Sequence, residues 1–494
     1  MSLERLSATE LGALVNSKQI SAQESIDYFL KRVSKYNNKL TAFVYLEPED
    51  AMAEAIKLDR RIAKGEYVGP FAGVPVGLKD FLPSKKGWSN THGGVHHLRA
   101  IDDGDSTFYS AARKLGAIAI GKTNAPPFGF KGTCDNKLYG PTKNPFNYKY
   151  NSGGSSGGTA SAVGAGLIPI GEGGDAGGSI RIPSSWCNCF GFKASKGTIP
   201  LYCRPDGFAA THPFCVNGAI TRTVLDSATI LNELAVYDPR DPNSLPINSN
   251  KNFVDLMNKP VKGMKVGFTY DFDLFPVDSE VKRVIEKAVN ALTLAGIEVE
   301  PVRFHWKHSL EDIASCWSWS ISVDTAIDLN MWKYDGLDLV KDHRDELTEE
   351  FIYWNEIAYN AGVSDFREFN EIRTDILDNF EDVFDEYDAI LSPATCCPPI
   401  TNDSDGYVEE IGGIKLNEKT NTISFCQTFL VNFIGYPSAS VPAGLTGEGL
   451  PIGLQITGKQ YRDEDVLAIS RAYEEVNPWD SLYNISYGLL KMNR

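Results

Sequence analysis

The chain has 494 residues, of which 42% are hydrophobic, and it carries a formal net charge of −16 with a pI near 5.0. The hydrophobic share is enough for a substantial core, whereas the acidic balance argues against a nucleic acid or an anionic membrane as partner. Nine cysteines without regular spacing indicate no disulfide framework, and because no targeting segment or long apolar run is present, a cytoplasmic protein is expected.

The N-terminal part predicts alternating helices and strands. A capping box at Ser21 and Glu24 precedes apolar residues at helical spacing, which indicates the start of a helix. The elements expected here are a helix from Ser21 to Asn37, a strand over residues 40–46, a helix over 49–64 and a short strand over 73–80. Because the last strand ends in polar residues, Lys79 is expected at a strand end.

Residues 116–123 satisfy the phosphate-binding pattern G-x-x-x-x-G-K-[ST]. A phosphate site needs the four variable residues in a loop after a strand. Here these residues read Ala-Ile-Ala-Ile, which is itself typical of a strand, and Pro126 and Pro127 follow soon after. Nucleotide binding is therefore not expected.

Residues 153–178 contain eleven glycines. Ser155 lies within this range and Ser179 directly follows it, so that the two serines are 24 positions apart. A flexible linker would carry few apolar residues, but residues 160–170 are small and apolar and favour a packed helix followed by a buried strand. Glycine loses the most backbone entropy on folding, so this cluster indicates a backbone held at unusual dihedrals or close to a ligand.

Residues 153–157 also match G-x-S-x-G, the nucleophile elbow of α/β-hydrolases, and residues 91–94 resemble their oxyanion loop faintly. The elbow should follow a buried strand, whereas residues 144–151 are polar and typical of turns. A Ser-His-Asp triad would also need a later histidine, and the last 151 residues contain none. An esterase of this kind stays an alternative.

The C-terminal half predicts a further α/β region after a proline-rich connection. The elements expected are strands over residues 264–268, 297–299, 387–393, 438–442 and 451–457, and a helix over 279–295. Residues 305–385 are expected to be helical and contain five tryptophans, which would either line a pocket or fill the core. Cys187 and Cys189 have no second pair at zinc-binding spacing and are interpreted as small buried residues.

A serine becomes nucleophilic when a base accepts its proton, and a lysine kept neutral by burial can serve as that base. Lys79, Ser155 and Ser179 supply these groups within residues 73–80, 153–158 and 175–183. In these three motifs, in their order and in the serine spacing, the chain resembles the amidase signature family. The resemblance covers nearly the whole chain.

The resemblance implies a role for each of these residues. Ser179 would be the nucleophile, and Ser155, after a cis peptide bond from Gly154, would pass its proton to a neutral Lys79. The oxyanion site would consist of four backbone N–H groups, those of Ala176, Gly177, Gly178 and Ser179. The supporting residues would be Ser156 and Thr159, which hydrogen-bond the catalytic groups, and Asp175 and Arg181, which form a structural ion pair.

The fold implied by the resemblance is α/β: a large mixed β-sheet flanked by helices on both faces, in one compact domain over residues 1–494. The catalytic residues would lie in a signature core over 71–235, followed by a connecting loop over 236–262 and the remainder over 263–494, which includes the aromatic helical region. No metal or organic cofactor is expected. The expected partner is a small-molecule amide, and no nucleic acid or membrane partner is expected. Whether the chain forms a homodimer is left undecided.

The reaction implied is hydrolysis of a carboxylic amide through an acyl-enzyme. The branch that contains 6-aminohexanoate cyclic dimer hydrolase is the most similar, which makes nylon-oligomer amides one candidate substrate. The alternative within the family is the glutaminase component of the tRNA-dependent amidotransferase, but Ile182 and Gln427 stand where that component usually has glutamine and an acidic residue. Ala176 and Pro127 depart from common family residues, so the resemblance does not predict which residues form the substrate pocket.

Overall fold

A mixed sheet of eleven strands combines strands from both halves of the chain, in the order β1-β5-β2-β8-β10-β9-β16-β17-β13-β11-β12. The structure is a computed structural model and describes residues 2–82, 84–204, 206–209 and 211–492. The strands in these residues are β1 Phe43–Leu46, β2 Pro75–Lys79, β3 Ser89–Asn90, β4 Ala100–Ile101, β5 Ile118–Thr123, β6 Lys143–Asn144, β7 Asn147–Asn151, β8 Ile170–Asp175, β9 Phe190–Lys193, β10 Val216–Thr221, β11 Lys265–Phe268, β12 Glu298–Pro301, β13 Ala389–Pro393, β14 Glu410–Ile411, β15 Ile414–Lys415, β16 Ser438–Leu445 and β17 Pro451–Gly458.

Helices cover both faces of this sheet. The α-helices in the described residues are α1 Ala8–Asn16, α2 Ala22–Leu40, α3 Pro48–Ala63, α4 Thr107–Lys114, α5 Gly157–Gly164, α6 Arg181–Trp186, α7 Val224–Leu234, α8 Phe253–Leu256, α9 Ser279–Thr293, α10 Leu310–Tyr334, α11 Leu339–Asp342, α12 Glu349–Asn360, α13 Val363–Phe384, α14 Leu430–Ile434, α15 Asp463–Val476 and α16 Tyr483–Lys491. Helices α5 and α6 pack together on one face, and α4, α7, α9 and α15 pack on the other. The predicted class, a mixed sheet between helical layers in one compact domain, is confirmed.

The centre of the sheet places the three predicted catalytic residues near one another. Strand β2 runs parallel to β8, so that both end at the same edge of the sheet. Lys79 ends β2, Ser155 precedes α5, and Ser179 lies in the turn between β8 and α6. Helices α5 and α6 pack against each other, which brings the two serine-bearing segments together.

Two predicted boundaries near the N-terminus are wrong by a few residues. Helix α2 starts after the predicted capping box at Ser21 but continues to Leu40, past Asn37. The Asn37 side chain accepts hydrogen bonds from the N–H groups of Ala42 and Phe43, so it shapes the exit of the helix rather than ending it. The strand predicted from residue 40 therefore begins only at Phe43.

Two motif interpretations gain a structural explanation. Residues 118–123 form strand β5, and Lys122 within it makes a buried ion pair of 2.6 Å with Asp102, so this lysine is not presented to a phosphate. Residues 144–151, predicted as turn-like, instead contribute to the short hairpin of β6 and β7, which lies outside the main sheet. The buried strand that a nucleophile elbow requires is therefore not found before Ser155.

The C-terminal half contains the predicted strands and helices with shifted ends. Strands β11 and β12 pair in parallel around α9, and β13, β16 and β17 join them to the N-terminal strands. The aromatic region forms the four helices α10 to α13. Residues 236–262 contain little regular structure apart from a 3-10 turn at Pro246–Asn248 and helix α8. Cys187 and Cys189 are buried and unbridged, as predicted.

Candidate active site

Lys79 and Ser155 form the centre of the site. Lys79 Nζ and Ser155 Oγ are joined by a buried hydrogen bond of 2.6 Å. Both side chains are almost inaccessible, with 5% and 2% of their surface exposed. The peptide bond between Gly154 and Ser155 is cis, as the family resemblance implied.

Burial decides the protonation of Lys79. Desolvation is the largest influence and lowers the pKa of Lys79 to about 8, although the charges of Glu172 and Asp175 oppose this shift. Near pH 8 a large fraction of the amine is therefore neutral and can accept a proton from Ser155.

Gly154 brings Ser155 close to a neighbouring loop. The Gly154 N–H donates to the Gly132 carbonyl at 2.7 Å, and a Cβ at Gly154 would lie 2.2 Å from the Thr133 carbonyl oxygen. No side chain fits in that space, so glycine is required here by the approach of two backbones. This contact fixes the segment that presents Ser155 to Lys79.

Glu172 supports Lys79 and was missed by the sequence analysis. Its carboxyl group accepts the Lys79 backbone N–H at 3.2 Å and the Ser106 hydroxyl at 3.1 Å, on the face of the sheet opposite α5. Burial raises the pKa of Glu172 to about 7. A signal was available, because a carboxylate between glycines directly after a segment predicted to be a buried strand needs a partner.

Asp80 supports the other side of Lys79 and was named only as part of a motif. Buried Asp80 hydrogen-bonds Thr91 through its side chain and accepts the Gly93 N–H at its carbonyl at 2.7 Å. In the same loop the His92 carbonyl accepts the N–H of Phe128 at 3.0 Å. Residues 91–94 therefore support the segment that carries Lys79, and their N–H groups at Gly93 and Gly94 are already bonded to Asp80 and Thr91.

Ser179 lies beside Ser155 through a backbone contact. The N–H of Ser156 donates to the Ser179 carbonyl at 3.1 Å, and the Ser179 residue is half-buried. The structure thus brings the two serine segments and Lys79 into one site. The assignment of Ser179 as the nucleophile stays a prediction.

Ser156 hydrogen-bonds Ser179 only through its backbone N–H, and the hydroxyl groups of Ser156 and Thr159 bond strand β8 instead. The Ser156 hydroxyl bonds the backbone of Gly174 at 3.2 and 3.3 Å, and the Thr159 hydroxyl donates to the Glu172 carbonyl at 2.8 Å. Ser156 precedes α5 and Thr159 lies in its first turn, and both face β8. Their effect is to fix α5 against the strand that leads to Ser179.

Asp175 and Arg181 form the predicted ion pair. Two parallel hydrogen bonds of 2.9 Å join the guanidinium to the carboxylate, and neither side chain is accessible. Asn432 and Gln455 each accept a further hydrogen bond of 2.7 Å from Arg181. Burial alone would raise the pKa of Asp175, but Arg181 lowers it to about 2, so the carboxylate stays charged at neutral pH.

One predicted oxyanion donor is already occupied. The N–H of Gly178 donates to Asp175 Oδ1 at 2.8 Å, which directs it away from a substrate. The prediction for Gly178 therefore needs correction, because the carboxylate beside it captures the N–H. The roles of the Ala176, Gly177 and Ser179 N–H groups stay predictions.

The glycines of this turn are required by packing behind it. A Cβ at Gly177 would lie 2.5 Å from the Trp317 indole, and one at Gly178 would lie 1.9 Å from the Thr428 hydroxyl. Gly178 also has a φ of +123°, which side chains rarely adopt. The close approach of Trp317 and Thr428 is thus a sufficient reason for glycine at both positions.

Aromatic residues lie in two of the segments next to Lys79 and Ser155. Lys79 Nζ lies 5.3 Å from the centroid of the Phe81 ring, and a Cβ at Gly129 would lie 3.2 Å from Ser155 Oγ. Phe128 and Phe130 flank Gly129 and pack against Phe351 at centroid distances of 4.8 and 5.3 Å. Phe128 and Phe130 are themselves buried, so Phe81 is the aromatic residue that lines the small cavity at Lys79, together with Leu82, Glu172 and Asn217.

The five tryptophans of the helical region pack against other aromatic rings, and Trp317 among them is buried in the core. Trp317 reaches the Ser179 turn and donates its indole N–H to the Ala176 carbonyl at 3.1 Å. The others pack within the protein: Trp306 against Phe304, Trp319 against Phe369, Trp332 against Phe128 and Trp354 against Tyr353.

Within the described ranges, no group of three or more His, Cys, Asp and Glu side chains is arranged to hold a metal ion. In the same part of the chain, no helix combines the length and the apolar character needed to cross a membrane.

Comparison with known proteins places this site in a family. The chain matches the Amidase family over residues 24–467. It is 33% identical over 481 residues to an acylamidase from Rhodococcus erythropolis, which covers 97% of this chain and 96% of that protein. It is 30% identical over 505 residues to a Glutamyl-tRNA(Gln) amidotransferase subunit from Geobacillus thermodenitrificans, covering 97% and 99% of the two chains.

Two solved structures have the same fold. A bacterial aryl acylamidase of the amidase signature family is 37% identical with a TM-score of 0.94, and the match covers 98% of both chains. 6-Aminohexanoate cyclic dimer hydrolase in complex with its substrate is 25% identical with a TM-score of 0.83, covering 97% and 98% of the chains. The chain belongs to the amidase signature family, and it is a hydrolase of carboxylic amide C–N bonds.

Proposed function

We propose that the chain is a free-standing amidase that cleaves secondary amides carrying an aryl group, through an acyl-enzyme on Ser179. The observation that carries this proposal is the buried 2.6 Å contact of Lys79 with Ser155, next to the Ser179 turn and beside the Phe81 ring. The likeness to an aryl acylamidase supports the choice of substrate, because that protein shares 37% of its residues with this chain, whereas the cyclic dimer hydrolase shares 25%.

The chemistry follows from the order of these groups. Neutral Lys79 accepts the proton of Ser155, which accepts the proton of Ser179, and Ser179 Oγ bonds to the carbonyl carbon of the amide. The C–N bond then breaks, the nitrogen takes a proton from Ser155, Lys79 returns its proton to Ser155, and the amine leaves. Water attacks the acyl-enzyme by the same proton route and releases the acid.

Aromatic residues support an aryl substrate. Phe81 lies beside Lys79, and the turn that carries Phe128 and Phe130 approaches Ser155 at Gly129. Rings of this kind pack favourably against an aryl group in offset or edge-to-face geometry. An aniline is also a better leaving group than an alkyl amine, which suits a site whose proton donor is a serine.

Gln427 disfavours the glutaminase of an amidotransferase. That reaction would require a carboxylate to bind the amino group of glutamine, whereas Gln427 is neutral and fully buried, and it donates to the Tyr270 carbonyl at 2.7 Å. The 30% identity to a protein of the amidotransferase keeps this activity as the second candidate.

The test uses the purified chain alone on glutamine, simple primary amides, aryl anilides, and linear and cyclic aminohexanoate oligomers. Ammonia and released amine are measured separately, with Ser179→Ala as the blank. Release of aniline that Ser179→Ala abolishes would support the proposal. Ammonia from glutamine alone would favour the amidotransferase glutaminase, and amine from the cyclic oligomers alone would favour nylon-type amides.

Covalent labelling tests the nucleophile independently of the substrate. A fluorophosphonate should modify Ser179, as located by peptide mass spectrometry, and the labelling should be lost in Lys79→Ala. Ser161→Ala is a matched control, because Ser161 lies in α5 but its hydroxyl bonds the Lys143 carbonyl at 2.8 Å. Labelling at Ser155, or labelling that persists in Lys79→Ala, would contradict the assignment.

A further inference from the structure

Three consecutive carbonyl groups of the Ser179 turn accept hydrogen bonds from side chains far away in sequence. Asn432 Nδ2 donates to the Asp175 carbonyl at 3.0 Å, Trp317 Nε1 donates to the Ala176 carbonyl at 3.1 Å, and Thr428 Oγ1 donates to the Gly177 carbonyl at 2.7 Å. The next two carbonyls, those of Gly178 and Ser179, accept backbone N–H groups of Ile182 and Ser156. Every carbonyl from 175 to 179 therefore has a fixed direction.

The direction of a carbonyl fixes the direction of the N–H that follows it. The peptide unit is planar and trans, so its C=O and N–H point to opposite sides. Trp317 holds the Ala176 carbonyl and thereby turns the Gly177 N–H away from the indole. Two residues further on, Ser179 carries the predicted nucleophile, so the Gly177 N–H is a candidate donor to the oxygen of the substrate carbonyl.

The indole is also in steric contact with this peptide. A Cβ at Gly177 would lie 2.5 Å from Cζ2 and 2.9 Å from Nε1 of Trp317. Trp317 is itself 5% exposed and packs between Phe130 and Phe429, each at a centroid distance of 6.3 Å. The ring has little freedom to move, so the peptide it holds has little freedom to rotate.

We propose that Trp317 is a positioning residue of the oxyanion site, whose indole N–H holds the Ala176 carbonyl so that the Gly177 N–H faces the tetrahedral intermediate. This inference rests on the proposed function, in which Ser179 is the nucleophile. Trp317 acts through the backbone and takes no part in bond making. Its contribution should therefore appear in the transition state and not in the binding of substrate.

The matched pair of variants is Trp317→Phe and Trp319→Phe. Both tryptophans lie in α10, but among the described residues Trp319 Nε1 has no hydrogen-bond partner, and its ring packs against Phe369 at 5.4 Å. Trp317→Phe should lower kcat by about tenfold to a hundredfold with KM changed less than about twofold, since losing a full oxyanion donor costs about a hundredfold or more. Trp319→Phe should leave both constants within about twofold.

A transition-state analogue separates positioning from packing. A trifluoromethyl ketone with the aryl group of the best substrate should lose affinity for Trp317→Phe by the same factor as kcat/KM. Replacement of Trp317 by a benzothienyl analogue, which keeps the ring and removes only the N–H, should reproduce the loss and serves where the phenylalanine variant is unstable. Fluorophosphonate labelling of Ser179 in the wild type confirms that the turn is the reacting site.

Three outcomes would overturn the inference. Unchanged kcat in the benzothienyl variant would show that the hydrogen bond from the indole N–H to the Ala176 carbonyl does not contribute to catalysis. A rise in KM with constant kcat would make Trp317 a pocket wall, and equal losses in Trp317→Phe and Trp319→Phe would assign the effect to the packing of α10. These outcomes concern Trp317 when fluorophosphonate labels Ser179 in the wild type. Absence of that label would instead contradict the proposed function.

Discussion

The two halves of the active site are held by opposite means. Lys79 and Ser155 are buried and joined by one hydrogen bond between an amine and a hydroxyl. The Ser179 turn is held by the charged pair of Asp175 and Arg181, with Asn432 and Gln455 around it. The Lys79 amine, on what we call the base side, loses its charge easily, whereas the Asp175 carboxylate and the Arg181 guanidinium of the turn stay charged.

The difference follows from how each buried charge is compensated. Desolvation lowers the pKa of Lys79 to about 8, because nearby carboxylates only partly offset it. The guanidinium of Arg181 overcomes desolvation at Asp175 and lowers its pKa to about 2. The base side is thus suited to proton transfer near neutral pH, whereas the turn is suited to constant geometry.

The strongest test of this comparison removes the base. Lys79→Met should lower kcat/KM by about a thousandfold, because general-base catalysis contributes about a hundredfold to ten thousandfold. The free energy of unfolding at pH 7 should not fall, since the folded state no longer contains a buried amine with a lowered pKa. Steady-state kinetics and urea unfolding measure the two effects.

Retention of activity in Lys79→Met would contradict the role of the lysine. A large loss of stability would contradict the expectation that the buried amine of Lys79 does not stabilise the folded chain at pH 7. Lys122→Met provides the contrast, because Lys122 is paired with Asp102 at 2.6 Å and its removal should destabilise the chain.

Breaking the ion pair of the turn should affect fold and activity together. Asp175→Asn leaves Arg181 buried without its counter-charge, and breaking such a pair costs about 3–5 kcal/mol of the free energy of unfolding. Activity should fall with it, because Asp175 also holds the N–H groups of Gly178 and Ile180. Urea unfolding and kcat/KM are measured on the same preparation.

The control for this variant is an exposed ion pair. Arg283 and Glu280 pair at 2.9 Å in α9 with both side chains about two-fifths exposed. Arg283→Ala should leave stability and activity unchanged, because exposed pairs are well solvated. If Asp175→Asn were as stable as the wild type, the turn would not depend on its charges.

Sequence patterns predicted most of the fold because its elements have strong local signals. The capping box at Ser21, the apolar residues of β2 and β5, and the β-α-β unit around α9 all correspond to elements of the structure. The end of α2 was missed because Asn37 hydrogen-bonds backbone groups beyond the helix. Pairing across the sheet, such as β9 with β16, depends on packing that local patterns do not contain.

The site was predictable where motifs carry chemistry and not where distant side chains support it. Lys79, Ser155 and the ion pair of Asp175 and Arg181 were found from short motifs. Trp317 and Thr428 contact the turn from more than a hundred residues away, and their spacing carries no signal. The occupation of the Gly178 N–H by Asp175 is likewise a matter of backbone geometry that the motif does not encode.

The pH dependence of activity tests the base side directly. Because Lys79 has a pKa of about 8 and must be neutral, kcat/KM should fall below pH 8 and be about a hundredfold below its plateau at pH 6. The facing thiols of Cys134 and Cys215 have pKa values raised by burial to about 12, so they stay neutral in this range. Asp175, with a pKa of about 2, stays charged.

A stability profile over the same pH range is the control, since the fall in kcat/KM should occur while the chain remains folded. A profile of kcat/KM that is flat from pH 6 to 9 would contradict a neutral lysine base.

The smallest expected effect comes from removing the charge of Glu172, whose carboxyl group accepts the Lys79 backbone N–H. The charge of Glu172 raises the pKa of Lys79, so Glu172→Gln should move the acid limb of kcat/KM to lower pH by less than about one unit. The amide can still accept the Lys79 N–H, so the plateau should change little. Activity is measured between pH 5.5 and 9.5 to locate the limb.

Stability should change in the same variant with a defined sign. The folded chain retains the Glu172 proton up to about pH 7, whereas an unfolded glutamate releases it near its ordinary value. The bound proton contributes fully to the free energy of unfolding at acid pH, and this contribution is lost as the pH rises through 7. The free energy of unfolding of Glu172→Gln should therefore not fall for this reason. Glu474→Gln is the matched control: burial also raises the pKa of Glu474, but this residue pairs with Arg471, so its variant should alter only the stability profile. An acid limb that moves equally in both variants would mean that Glu172 acts on the fold as a whole and not on Lys79.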